Sequence, residues 1–156
     1  MDIATLGDMV MTGFRKLGFI RYTGIDGVEF AEGRNAVAMT PGPEHLNHLG
    51  DVHAAVLFGL AETAAMGAAV SGIAAHMGAS FVVARDGRIE YLARAKGAAG
   101  RYLATAELPG DTLETLRAEV AARRPVEFSV PVRITGGDET LVATASFTAV
   151  IRPRRD

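Results

Sequence analysis

Apolar residues recur along the start of the chain at three- and four-residue steps: Ile3, Leu6, Val10, Phe14 and Leu17. That spacing places them on one face of a helix, and Gly18 offers a stop, so an N-terminal helix is expected over residues 1–18. Val28 to Ala31 and Asn35 to Thr40 flank Glu32-Gly33-Arg34, which reads as a hairpin with a glycine free to take positive φ. Beyond Pro41-Gly42-Pro43 lies an almost unbroken apolar run, residues 52–75, which predicts a long helix buried on all sides. After His76-Met77-Gly78 the period falls from about 3.6 to 2, and strands take over. Ile89, Tyr91 and Ala93 alternate with Arg88, Glu90 and Leu92, and Tyr102, Ala104, Ala106 and Leu108 alternate with Arg101, Leu103, Thr105 and Glu107. The alternation is clearest from Val126 to Ile134, where Pro131 cannot donate to a ladder and so requires an edge or a bulge. A last strand is expected from about Leu141 to Ile151, and Leu113, Leu116 and Val120, behind Asp111, predict a short helix closed by Pro125.

These elements outline an α+β domain. A hairpin is followed by a long helix and then by at least four strands in an antiparallel meander, whose apolar face needs a cover. Only residues 52–75 are long and apolar enough to supply it, and their many Ala and Gly residues let a strongly curved sheet wrap closely around the helix. This is the outline of a hotdog fold. The same run also has the length of a bilayer crossing, but it carries Glu62 near its middle, and a carboxylate there costs at least ~2.5 kcal/mol. A buried helix is the expected reading, with no membrane partner.

At 156 residues, without a repeat, a linker or a shift in composition, one domain over residues 1–156 is expected. A net charge of −2 argues against nucleic acid as a partner, since phosphate contacts call for a basic stripe. Cysteine is absent, which excludes disulfides, thiolate metal sites and a cysteine nucleophile. With no leader pattern at Met1-Asp2-Ile3, the expected location is the cytoplasm.

The chemistry concentrates between residues 47 and 62. The run Asn47-His48-Leu49-Gly50-Asp51-Val52-His53-Ala54-Ala55, continued by Leu60-Ala61-Glu62, resembles the signature of PaaI-like hotdog thioesterases. Residues 88–97 are similar to the strand that follows the helix in that family. The resemblance implies hydrolysis of an acyl-CoA thioester, with coenzyme A entering as part of the substrate and no separate cofactor. It implies that Glu62 is the nucleophile or the general base on water, that Asn47 orients the attacking group, and that His53 and the Ala54 N–H lie at a helix start where the carbonyl is polarised. The family's usual Gly-Gly is Ala54-Ala55 here. The first turn of a helix carries unpaired N–H groups and partial positive charge, which independently suits a developing oxyanion.

From His53 to Glu62 is nine steps of about 100°, so the two lie on opposite sides of one helix and cannot serve one site within a chain. The resemblance implies that the helix start of one subunit meets the carboxylate of the other, with which this spacing is compatible, and an obligate homodimer is inferred, alone or as a dimer of dimers. Arg94 and Lys96 gain from the resemblance as holders of the coenzyme A phosphates, ahead of Arg101, Arg123, Arg124 and the tail Arg152–Arg155. Glu44, His45, His48, Asp51 and His53 could together suggest a metal site, but their spacing fits no metal motif and none is expected. Glu62 could instead be a core carboxylate paired with an arginine, and Asn47 a turn former. A hotdog that binds or senses acyl-CoA without catalysis is the main rival; a hydratase is the weaker one.

Overall fold

The computed structural model describes residues 2–154. Met1, with which the predicted first helix begins, and Arg155 in the basic tail lie outside the described residues. Asp2 caps α1 (Ile3–Phe14), its Oδ1 accepting the Thr5 N–H at 3.0 Å. The single helix expected over residues 1–18 is in fact two. The Lys16 and Leu17 N–H groups bond back to Gly13 and Phe14, three residues away, which tightens the chain out of the α ladder. Gly18 then opens α2 (Gly18–Thr23) rather than closing α1, and the left-handed C-cap falls on Gly24 at φ +66°.

The hairpin forms as its turn chemistry demands. β1 (Asp26–Ala31) and β2 (Arg34–Met39) close on the pair Ala31↔Arg34, with Gly33 at φ +71° in the two-residue turn. The remaining strands are β3 (Ser80–Tyr91), β4 (Tyr102–Glu107), β5 (Val126–Thr135) and β6 (Leu141–Pro153). All pairings are antiparallel and the order is β1-β2-β4-β5-β6-β3. The expected meander therefore holds only for β4–β5–β6. β3 crosses to the far edge instead, where the thirteen-residue β6 offers it a ladder from Ser80↔Pro153 to Tyr91↔Ala143, interrupted by a bulge between Ala84 and Asp86. Pro131 lies one residue beyond the last β4–β5 pair, Ala106↔Val132, so its missing N–H falls where β5 has a strand on one side only.

The cover is α3 (Ala54–Gly72), shorter at both ends than the apolar run suggested. Val52 is drawn into the preceding loop by its N–H bond to the Ala95 carbonyl at 2.7 Å, and residues Ala74–Ala79 continue as a 3-10 helix. Leu60, Ala61, Ala64, Ala65, Ala68 and Ala69 have no exposed surface, and they meet Tyr102, Ala104, Val130, Ile134 and Phe147 from the sheet. α3 is long and apolar enough to cross a membrane, but 61% of its apolar stretch is buried inside the protein. The small side chains let β2 approach closely. Buried Asn35 reaches from β2 to donate from Nδ2 to the Ala64 carbonyl at 3.2 Å and the Thr63 carbonyl at 3.4 Å. α4 (Gly110–Ala121) rests on β5 and on the end of α3 through Leu116 and Val120. A curved antiparallel sheet wrapped around one long helix is the hotdog fold.

Candidate active site

The segment before α3 is shaped by hydrogen bonds to its own backbone. Asn47 Oδ1 accepts from the N–H groups of Leu49 at 2.9 Å and Asp51 at 3.1 Å, while the Asn47 N–H donates to the Asp51 carbonyl at 2.8 Å. The side-chain oxygen thus builds the loop, as an Asx-type turn would, and Nδ2 has no partner among the described residues. Asp51 is the anchor of this loop. Its side chain is 10% exposed and takes Arg94 Nε at 2.8 Å and a second guanidinium nitrogen at 3.2 Å. Arg94 is therefore engaged within the chain, whereas Lys96 is exposed and in no ion pair among the described residues.

His45 ties the same loop to α2. It is buried, its Nδ1 accepts the Gly42 N–H at 2.9 Å, and its Nε2 donates to the Tyr22 carbonyl at 2.5 Å, an arrangement that fixes the Nε2–H tautomer. Its own carbonyl accepts the His53 N–H at 2.8 Å. His53 is the N-cap of α3, and its Nδ1 accepts the Ala55 N–H at 3.1 Å. The Ala54 N–H has no acceptor among the described residues, so an exposed donor stands at the positive end of a nineteen-residue helix. Tyr91, at the end of β3, donates to the Ala54 carbonyl at 3.0 Å, and burial pushes its phenol up from the usual value. Of the five candidate metal ligands, His45, Asp51 and His53 are thus engaged in hydrogen bonds. Among the described residues no group of three His, Cys, Asp or Glu could hold a metal.

Glu62 stands apart from this end. It is half-buried and makes no hydrogen bond or ion pair among the described residues, and desolvation alone holds its carboxyl above the usual glutamate range. Raising the pKa strengthens the carboxylate as a base. Ala55, Phe58, Gly59, Glu62, Met66 and Val70 form the strip of α3 that this chain leaves incompletely covered. Ala54 and Glu62 are eight residues apart, about 12 Å along the axis at 1.5 Å per residue. One chain therefore gathers Asn47, His53, Ala54, Arg94 and Lys96 at one end of α3 and holds Glu62 two turns away. The Asp51–Arg94 pair and the Tyr91 hydroxyl at the Ala54 carbonyl were not foreseen from sequence. Asp51 lies inside the motif, but its partner is 43 residues distant.

The DUF4442 family, described as a domain of unknown function, matches residues 12–151. Among curated protein sequences nothing matches. The chain is similar in fold to a Pseudomonas aeruginosa protein described as a probable thioesterase, at 19% identity and a TM-score of 0.79 over 95% of this chain and 96% of that one. It is also similar to Escherichia coli PaaI, from the phenylacetic acid degradation operon, at 21% identity and TM-score 0.69 over 94% and 91% of the two chains. A third likeness is to a Streptococcus mutans protein bound to acetyl-CoA, at 21% identity and TM-score 0.62 over 85% and 91%.

Proposed function

The chain belongs to the DUF4442 family, and from its site we propose that it hydrolyses acyl-CoA thioesters as a homodimer, with Glu62 as the catalytic carboxylate. The observation that carries this reading is Glu62 itself: a carboxylate without a partner among the described residues, raised by burial, on the incompletely covered strip of a small-residue helix. An unpaired half-buried carboxylate weakens a fold, so its presence argues for chemistry. Glu62 takes a proton from water, whose oxygen bonds to the thioester carbon, and as the C–S bond breaks the thiol of coenzyme A leaves with that proton. Alternatively Glu62 attacks the carbon directly, coenzyme A leaves as the thiolate, and water hydrolyses the resulting acyl–Glu62 anhydride, giving the acid, the free carboxylate and the proton that the thiolate takes up. The Ala54 N–H, free at the helix start, is suited to the oxyanion that forms in between. A water or carbonyl in the loop would find a donor in Asn47 Nδ2 and the His53 ring. Two similarly folded proteins, one described as a probable thioesterase and one bound to acetyl-CoA, agree with this chemistry.

The dimer follows from the separation of the two halves. β3 has no strand along its outer edge among the described residues, and an open edge of twelve residues is a template for pairing. A two-fold pairing there would set the uncovered strips of two α3 helices against each other, so that Glu62 of one chain could meet the Ala54 end of the other. Lys96 remains available for the coenzyme A phosphates, while Arg94 can offer them only what Asp51 leaves free. The test is thiol release from a panel of acyl-CoAs by wild type and Glu62→Gln. Wild type should turn over, and the variant should lose at least ~100-fold. Binding of acyl-CoA without release by wild type would favour a sensing module instead.

A further inference from the structure

α2 places a ring directly on α3 beside the carboxylate. A Cβ added at Gly59 would lie 2.9 Å from Phe19 Cε1 and nearer still to Cζ, so the ring occupies the space that any other residue at 59 would fill. Gly59 precedes Glu62 by three residues, which makes the two positions surface neighbours about 5–6 Å apart. Phe19 is nonetheless 50% exposed. The ring therefore packs on the Glu62 strip of α3 at Gly59 while half of the residue stays open to solvent.

The ring is held where it is. Thr23 Oγ1 donates to the Phe19 carbonyl at 2.8 Å, and the Tyr22 hydroxyl donates to the Glu44 carbonyl at 2.8 Å. The His45 ring fastens the Tyr22 carbonyl and the His45 backbone carbonyl accepts the His53 N–H, so one buried residue ties α2 to the start of α3. Behind α2, the crevice between α1, β1, β2 and α3 leaves only about 10 Å³, enough for one water. It is lined by Ile20 from α2 and by Thr63 and Gly67 from α3, among others, and offers no space for an alkyl tail.

We propose that Phe19 sets the acyl specificity of the site: its ring walls the acyl pocket beside Glu62 and restricts the substrate to thioesters of short or compact acyl groups. This rests on the thioesterase reading above. Long chains are refused because the space they would take over Gly59 is filled and the crevice behind it is closed.

The test measures kcat/KM for acyl-CoAs from acetyl to decanoyl in wild type, Phe19→Ala and Phe19→Leu, with folding checked by circular dichroism and Tm. Phe19→Ala should raise the decanoyl-to-acetyl ratio at least ~10-fold, since each methylene gaining apolar contact is worth about fourfold. Phe19→Leu should fall between the two and stands in if the alanine variant does not fold. Gly59→Ala should lower turnover on every substrate, and Phe19→Ala added to it should restore turnover. A ring with a purely structural role would move Tm and leave the ratio alone; a ratio unchanged within about twofold in a folded variant overturns the proposal. Calorimetry with non-hydrolysable alkyl-CoA thioethers separates this failure from that of the underlying reading. If wild type releases no thiol, hydrolysis is refuted, and the proposal stands only if Phe19→Ala selectively tightens long-chain thioethers. Unchanged chain-length dependence, or no thioether binding at all, overturns it.

Discussion

Replacing a helical glycine with alanine ordinarily stabilises a protein, and at Gly67 the structure reverses that sign. In mid-helix the exchange is worth about 0.8–1.0 kcal/mol in favour of alanine. A Cβ at position 67, however, would lie 2.5 Å from Asn35 Cγ, 3.1 Å from its Cβ and closer still to its Nδ2. Asn35 is 3% exposed and fixed in β2, so its amide cannot swing away without giving up its bonds to the Thr63 and Ala64 carbonyls. Two hydrogen bonds at about 1 kcal/mol each, plus about 1–3 kcal/mol for the amide left unsatisfied, exceed the propensity gain. The net expectation is a loss of about 2–4 kcal/mol, a Tm lower by roughly 4–16 °C at 2–4 °C per kcal/mol for a chain of this size. Thermal and urea unfolding of Gly67→Ala, Asn35→Ala and the double variant read the effect. The double variant should be more stable than the sum of the single losses predicts, by more than about 1 kcal/mol, because the clash disappears with the amide. A Gly67→Ala protein as stable as wild type, or more stable, would refute the close approach of β2 to α3.

Glu62 gives a second, pH-dependent expectation. Its folded pKa is raised, so the folded state binds the proton more tightly, and stability is greatest below the ordinary glutamate range and falls as pH rises through the raised value. Glu62→Gln should therefore be more stable than wild type at neutral pH and lose that advantage in acid; urea midpoints at the two pH values decide it. The acid limb of kcat/KM should likewise lie above the ordinary glutamate range in wild type. Arg94→Ala strips a largely buried carboxylate of its bidentate partner and should lower the urea midpoint, by an amount that solvent screening of the 65% exposed arginine keeps small. If Arg94 mainly anchors the loop, kcat should fall while KM for acyl-CoA stays within about threefold; a selective KM increase would restore it to phosphate binding. Ala54→Pro removes the free amide and should nearly abolish turnover, whereas Ala54→Gly should keep it; equal activity in the two variants would remove the oxyanion role.

What could be read from the sequence divides along the range of the contacts. The β1–β2 hairpin and the β4–β5–β6 meander join neighbours through short connections, and local alternation with turn residues specifies them. β3 pairs with β6 across the breadth of the sheet, and nothing in its own residues says which edge it will take. Its first half, Phe81-Val82-Val83-Ala84, reads as an apolar run because Phe81 and Val83 stand exposed on one face while Val82 packs inward on the other. Glu62 stands out in the sequence because a single carboxylate in an apolar helix demands an explanation, and the structure leaves it half-buried. The Arg94–Asp51 pair is not legible in the sequence, where Asp51 is one more polar residue in a loop 43 positions away.

The glycines of α3 carried information that the apolar pattern concealed. Ala and Gly along the run are both small enough to admit a curved sheet, yet they are not equivalent. Glycine costs about 1 kcal/mol relative to alanine in a helix interior, so a helix that uses alanine freely has a reason wherever it departs from it. At Gly59 the reason is Phe19, at Gly67 it is Asn35, and at Gly72 it is the side chains of Leu113, Leu108 and Leu116, between 3.1 and 3.3 Å from a Cβ built there. Each glycine thus marks where a different element presses on the helix: α2, β2 and the α4 side in turn. Only Gly59 lies on the same uncovered strip as Glu62. The contact made there is the one of the three that can bear on substrate, and it is made by α2, outside the motif of residues 47–62.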